Sequence, residues 1–143
     1  MKVRELTRTD LSKLIPLLEE LGYPVDPDAL TKRFDDFSAR GEKGVVAEDG
    51  SRIVGFLTLH ITPVLHRPGS VGRVTTLVVE AASHGKGIGR ALMQEAENRL
   101  WKEGCVLIEV TSNQNRTDAH AFYEKLGYER TSFRFGKPRP SSL

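Results

Sequence analysis

Polar and apolar residues alternate in three different rhythms along the chain. Val3 to Leu6 reads as a short first strand, closed by the turn-prone Thr7–Asp10 stretch. Leu11, Leu14, Ile15, Leu18 and Leu21 then fall three or four apart, the spacing of one helical face, with Thr9 as N-cap and Gly22 as stop. Pro16 lies inside this helix and predicts a kink or a broken turn, because proline has no N–H to donate. Asp26-Pro27 opens a second helix, with Leu30, Phe34 and Phe37 as its apolar stripe and Gly41 at its end. The rhythm next becomes that of strands. Gly44–Glu48 and Ile53–Ile61 are joined by Asp49-Gly50, a hairpin signal, and Val71–Val79 follows a Pro63–Gly69 loop. A glycine-rich stretch leads into a long helix with Ile88, Ala91, Leu92, Ala96 and Leu100 on one face, ending at Gly104. Val106–Thr111 reads as a strand with Val106, Ile108 and Val110 on one side, Ala119–Leu126 as a short helix, and Tyr128–Phe135 as a last strand.

The resulting order is β-α-α-β-β-β-α-β-α-β. A strand–helix–strand crossover from Val71 to Thr111 makes those two strands parallel, whereas the hairpin makes earlier neighbours antiparallel. The expected fold is therefore α/β (α+β), a mixed central sheet with helices on both faces. At 143 residues the chain is sized for one domain, expected over residues 1–136, with 137–143 as a disordered tail.

Composition narrows the possible functions. Lys and Arg number 21 against 19 Asp and Glu, a net +2, too balanced for nucleic-acid binding driven by net charge. No apolar run reaches the ~20 residues that cross a membrane, and the start has no signal-peptide core, so a soluble, cytoplasmic protein is expected. Cys105 is a lone cysteine, read as a buried structural thiol, and no His/Asp/Glu spacing suggests a metal site.

Chemistry concentrates between Leu77 and Leu92. A strand ends, Gly85, Gly87 and Gly89 alternate, and a helix begins. Glycines let backbone N–H groups converge, the following helix presents its positive end, and Lys86 and Arg90 add charge, which together suit a phosphate. A mononucleotide P-loop would need Ser or Thr after Gly85-Lys86, where Gly87 stands. A Rossmann fingerprint would need its third glycine at Arg90, although Glu109 lies where a ribose-binding acid could sit.

His84-Gly-Lys-Gly-Ile-Gly89 resembles the acetyl-CoA pyrophosphate loop of the GNAT N-acetyltransferase superfamily, Arg/Gln-x-x-Gly-x-Gly/Ala. Arg116-Thr-Asp-Ala-His-Ala-Phe-Tyr-Glu-Lys-Leu-Gly-Tyr128 is similar to its second signature, Ala-x-x-Phe-Tyr-x-x-x-Gly-Phe/Tyr, and the element order matches over nearly the whole chain. Within that superfamily, Leu21-Gly-Tyr-Pro24, the His60–His66 stretch, Asp118-Ala-His120 and Ser132-Phe-Arg-Phe135 look most like aminoalkylphosphonate and aminoglycoside N-acetyltransferases.

The resemblance implies direct acetyl transfer from acetyl-CoA to the primary amine of a small molecule. Pantetheine would bond the backbone of Leu77, Val78 and Val79 as an added strand. The pyrophosphate would rest on Gly85, Lys86, Gly87, Ile88, Gly89 and Arg90. Asn115, with Asn113 nearby, would contact CoA in place of an asparagine that many members carry where Arg116 stands. Tyr123 would protonate the leaving thiolate. Many members also place a glutamate on the fourth strand as base; here Arg73-Val-Thr-Thr76 offers none, leaving Glu109, Glu80, His60 and His120 as candidates. Arg67, Arg73 and His66 could clamp a phosphonate. Homodimers are common in that family. Two alternatives remain, a protein or peptide N-acetyltransferase and a non-catalytic acetyl-CoA-binding module.

Overall fold

The computed structural model describes residues 1–112, 114 and 116–142. They form two compact units, Met1–Val110 and Thr111–Leu143. The first holds a five-stranded sheet of β1 (Lys2–Glu5), β2 (Lys43–Asp49), β3 (Arg52–Thr62), β4 (Ser70–Val79) and β5 (Cys105–Val110), hydrogen-bonded in that order. The first four are antiparallel neighbours, and β4–β5 is parallel, as a crossover through a helix requires. The expected mixed sheet is present.

Helices cover both faces of this sheet. Leu11, Leu14 and Leu17 of α1 (Leu11–Leu21) pack on Val46, Phe56 and Val78, and Leu30 and Phe34 of α2 (Pro27–Ala39) join the edge of that cluster. On the opposite face, Leu92, Met93 and Leu100 of α3 (Ile88–Lys102) are wholly buried, as are Val45 and Leu57 of the sheet. Leu17 and Met93 extend the apolar stripes beyond the spacing that marked them in sequence. α1 runs through Pro16 without a break, and Gly22 ends it in the left-handed region at φ 100°. Gly50 supplies the positive φ of the β2–β3 hairpin, and Asp26 caps α2 by accepting from the Ala29 N–H at 3.1 Å.

The start of α1 is fixed by a buried charge. A short 3-10 turn (Arg8–Asp10) with Thr7 as its N-cap precedes it, so Asp10, not Thr9, stands at the N-cap of α1. The Asp10 carboxylate accepts both Arg4 Nη groups at 2.8 Å and the Thr7 N–H at 2.9 Å, while Arg4 Nε donates to Glu48 on β2 at 3.1 Å. Chiefly because of the Arg4 hydrogen bonds, the Asp10 carboxyl falls to about 2 and the Arg4 guanidinium is held still more firmly protonated.

The register of β5 and the end of the chain add to the picture. The β4–β5 register shifts between Ser70 and Val71, leaving Val106 out of the ladder and 46% exposed. In the second unit, α4 (Thr117–Lys125) ends at Gly127 with φ 94°, but residues 128–140 form no strand. A strand exists through the ladder that satisfies its N–H and C=O groups, and no second strand occurs among the described residues of this unit. The alternation of Phe133 and Phe135 therefore leads to side chains 86% and 94% exposed, with Arg134 bonded to Thr111 and Arg130 to Glu124.

Candidate active site

β4 and β5 pair only part of the way. Their ladder runs from Ser70/Cys105 to Val74/Val110, where β5 ends, and among the described residues β4 has no strand partner on that side through Thr75–Val79. On its other side this segment pairs normally with β3, Leu77 opposite Leu57, Val78 opposite Phe56 and Val79 opposite Gly55. The free edge therefore offers backbone donors and acceptors to an extended ligand lying alongside as a strand would. Thr75 marks its start. There the β3–β4 register slips by one residue between Thr58 and Leu59, a bulge of the kind that redirects a strand beside a site.

The free edge leads directly into the glycine loop. Gly85 and Gly87 both sit at φ 79°, where a side chain would be strained, and an added Cβ at either would meet nothing within 4 Å. Gly87 is the N-cap of α3 and contributes no side-chain cap, so the N–H groups of Ile88, Gly89 and Arg90 have no partner within the helix or from a cap. Lys86 and Arg90 are exposed beside them. Converging N–H groups, the helix dipole and two cations make a cradle for a phosphate or pyrophosphate. Polar contacts brace it from behind. Glu80 accepts the Ser83 hydroxyl at 2.6 Å and is also bonded by Arg52, Glu20 of α1 accepts the Ala81 N–H at 2.6 Å, and the His84 ring donates Nε2–H to the Val79 carbonyl at 2.9 Å. The Ser83 hydroxyl, then Arg52, holds the Glu80 carboxyl below its usual range. Gly55 also matters: a Cβ there would stand 3.0 Å from the Val78 carbonyl and 3.2 Å from Ile88, so its absence lets α3 start close to the sheet.

Tyr123 lies on α4 in the second unit, its ring edge-on to Phe122 at 5.2 Å and to Tyr128 at 6.1 Å. Burial pushes its phenol above the usual 10, against a smaller pull from Arg116. Asn113 and Asn115 lie outside the described residues.

The candidate bases separate clearly by their surroundings. Glu80 is committed to Ser83 and Arg52, and Glu109 on β5 accepts from Arg73 on β4 at 3.3 Å. His120 is on α4. His60 on β3 bonds through Nδ1 to Glu42, a residue that sequence reasoning did not single out. His66 and Arg67 fall in the exposed β3–β4 loop. Cavities of about 210 and 170 Å³ lie where α1 meets α2 and where α2 meets β2, apart from the glycine loop. Among the described residues, no group of three His, Cys, Asp or Glu could hold a metal ion, and no helix is long and apolar enough to cross a membrane.

The sequence model of the Acetyltransferase (GNAT) family matches residues 7–128, which include the free β4 edge, the glycine loop and α4. The chain belongs to the GNAT acetyltransferase family. Among its GNAT relatives, an aminoalkylphosphonate N-acetyltransferase of Salmonella typhimurium is 38% identical over 85 residues, 59% of this chain and 55% of that enzyme's length. A glucosamine 6-phosphate N-acetyltransferase of Oryza sativa is 27% identical over 94% of this chain and 85% of its own. The crystal structure of an acetyltransferase from Trypanosoma brucei superposes with a TM-score of 0.83 at 27% identity, covering 96% of this chain and 99% of that one. GNAT enzymes use acetyl-CoA as co-substrate.

Proposed function

We propose that this protein transfers the acetyl group of acetyl-CoA to the primary amine of a small molecule by direct attack within a ternary complex. The observation that carries this reading is the Thr75–Val79 edge, which β5 leaves without a strand partner and whose last carbonyl is tied to His84 of the loop, leading into the Gly85–Arg90 cradle. When bound there, acetyl-CoA supplies an activated acyl carbon. Leu77, Val78 and Val79 hold its pantetheine arm through backbone bonds, and Gly85, Lys86, Gly87, Ile88, Gly89 and Arg90 hold its pyrophosphate, with Asn115 as a further contact. A preorganised β4 N–H stabilises the developing oxyanion, an effect commonly worth ~3 kcal/mol. Tyr123 donates a proton to the departing thiolate, and its upward-shifted phenol stays protonated at neutral pH, as that role requires. The acceptor is an amine that carries an anionic phosphorus group, as the names of two relatives suggest, and Arg73 is the nearest strand cation to the end of the free edge. A single domain over residues 1–136, cytoplasmic and homodimeric, goes with this reading.

Release of free thiol from acetyl-CoA in the presence of 2-aminoethylphosphonate or glucosamine 6-phosphate tests it. One thiol per N-acetylated amine is expected. Tight acetyl-CoA binding with no turnover of any amine would leave a non-catalytic acetyl-CoA-binding module in its place. Tyr123→Phe is expected to lower kcat about 100-fold, the usual scale for a lost proton donor, while leaving acetyl-CoA affinity within twofold.

A further inference from the structure

The sheet carries a polar row of which only Arg73 has a role in the binding reading. Along β3, Phe56, Thr58 and His60 share one face, and Phe56 is sealed beneath α1. Beyond Phe56 the same face turns polar and open: Thr58 bonds the bulge residue Thr75 at 2.7 Å, and the His60 side chain is 42% exposed. His60 pairs in register with Arg73 on β4, and Arg73 with Glu109 on β5, while Glu42, just before β2, closes the row from the other side. His60, Arg73 and Glu109 thus cross three strands at one level, with Glu42 beside His60, next to the point where β4 and β5 part.

We propose that His60 is the general base that deprotonates the acceptor ammonium, with Glu42 as its positioning residue. The assignment rests on the acetyl-CoA reading above. With the pyrophosphate at Gly85–Arg90, the cofactor arm runs back along β4 and its thioester reaches the Thr75 end of the free edge. On the α3 side that end is closed by the buried Leu59 and Val74, so the amine must come in over the polar face, where His60 stands about one strand spacing (~4.8 Å) from β4. Glu42 can only accept, so Nδ1 carries the proton and Nε2 presents its lone pair; Nε2 has no hydrogen-bond partner among the described residues. Glu109 cannot serve equally well, being already engaged by Arg73. In the reaction the ammonium proton passes to Nε2 and the freed nitrogen bonds the acetyl carbon. The C–S bond breaks with its electron pair on sulfur, Tyr123 protonates that sulfur, and the proton lost by the nitrogen on forming the amide restores the phenol. The imidazolium then releases its proton to solvent.

Two measurements test the assignment. In ¹⁵N NMR of the full chain, the His60 ring should be the Nδ1–H tautomer, and Glu42→Gln should mix the tautomers; an Nε2–H tautomer in the parent protein overturns the proposal. In acetyl-CoA turnover with 2-aminoethylphosphonate or glucosamine 6-phosphate, His60→Ala should lower kcat about 300-fold, within the range for a lost general base. Its rate should climb with pH as free amine accumulates, and added imidazole should restore part of it. Glu42→Gln should lose about tenfold with the same pH trend. Acetyl-CoA affinity should stay within twofold in both variants. Undiminished turnover by His60→Ala with normal acetyl-CoA binding overturns the base assignment alone, whereas a parent protein that binds no acetyl-CoA overturns the functional reading and this assignment with it.

Discussion

Gly87→Val is expected to weaken acetyl-CoA binding about 100-fold, equivalent to about 2.7 kcal/mol. Gly87 sits at φ 79°, a conformation that a β-branched residue adopts only at a cost of roughly 1–3 kcal/mol. Relief of that strain turns the Gly87 and Ile88 N–H groups away from a common point and so dissolves the cradle. Open space around the ideal Cβ means that steric clash is not the cause, and Gly87→Ala should therefore fall between parent and valine variant. Calorimetric titration with acetyl-CoA reads the change. Pantetheine, which has no pyrophosphate, should compete equally well in parent and variant. An unaltered acetyl-CoA affinity would place the anion elsewhere.

The second large effect is on stability. Asp10→Asn removes the charge that Arg4 grips while keeping the side-chain shape, and is expected to cost about 2 kcal/mol in urea unfolding at pH 7. In the folded protein the Asp10 carboxyl titrates at about 2, below its ordinary 3.8, so its contribution is complete above about pH 4 and is lost as pH falls toward 2. Parent and variant stabilities should therefore converge at the acid end. A gap that persists to pH 2 would mean that packing, and not the ion pair, fixes the start of α1.

Much of this molecule is legible in its sequence where local chemistry decides the outcome. Asp49-Gly50 specifies its hairpin, Asp26-Pro27 its helix start, and the glycines at 85 and 87 their left-handed turns, because each depends on a few neighbouring residues. What escaped depends on register. Counting back from the hairpin without a bulge pairs Glu42 with Leu59, on the wrong face; the observed slip between Ala47 and Glu48 moves the ladder by one residue and brings Glu42 to His60. The same reason hides the exposure of Val106, which a second slip leaves out of its ladder. Tyr128–Phe135 has a strand's alternation, yet alternation alone does not supply the partner that a strand requires. The Arg4–Asp10–Glu48 cluster joins β1, a turn and β2, and no spacing along the chain announces it.

Acetyl-CoA held jointly by the β4 edge and the glycine loop is the central proposal for this protein. Calorimetric titration of the parent protein with acetyl-CoA, and separately with NAD, tests it most directly. The expected result is saturable binding of one acetyl-CoA per chain, weakened by salt as an anion site should be, and no heat with NAD. Binding of NAD without binding of acetyl-CoA would contradict it.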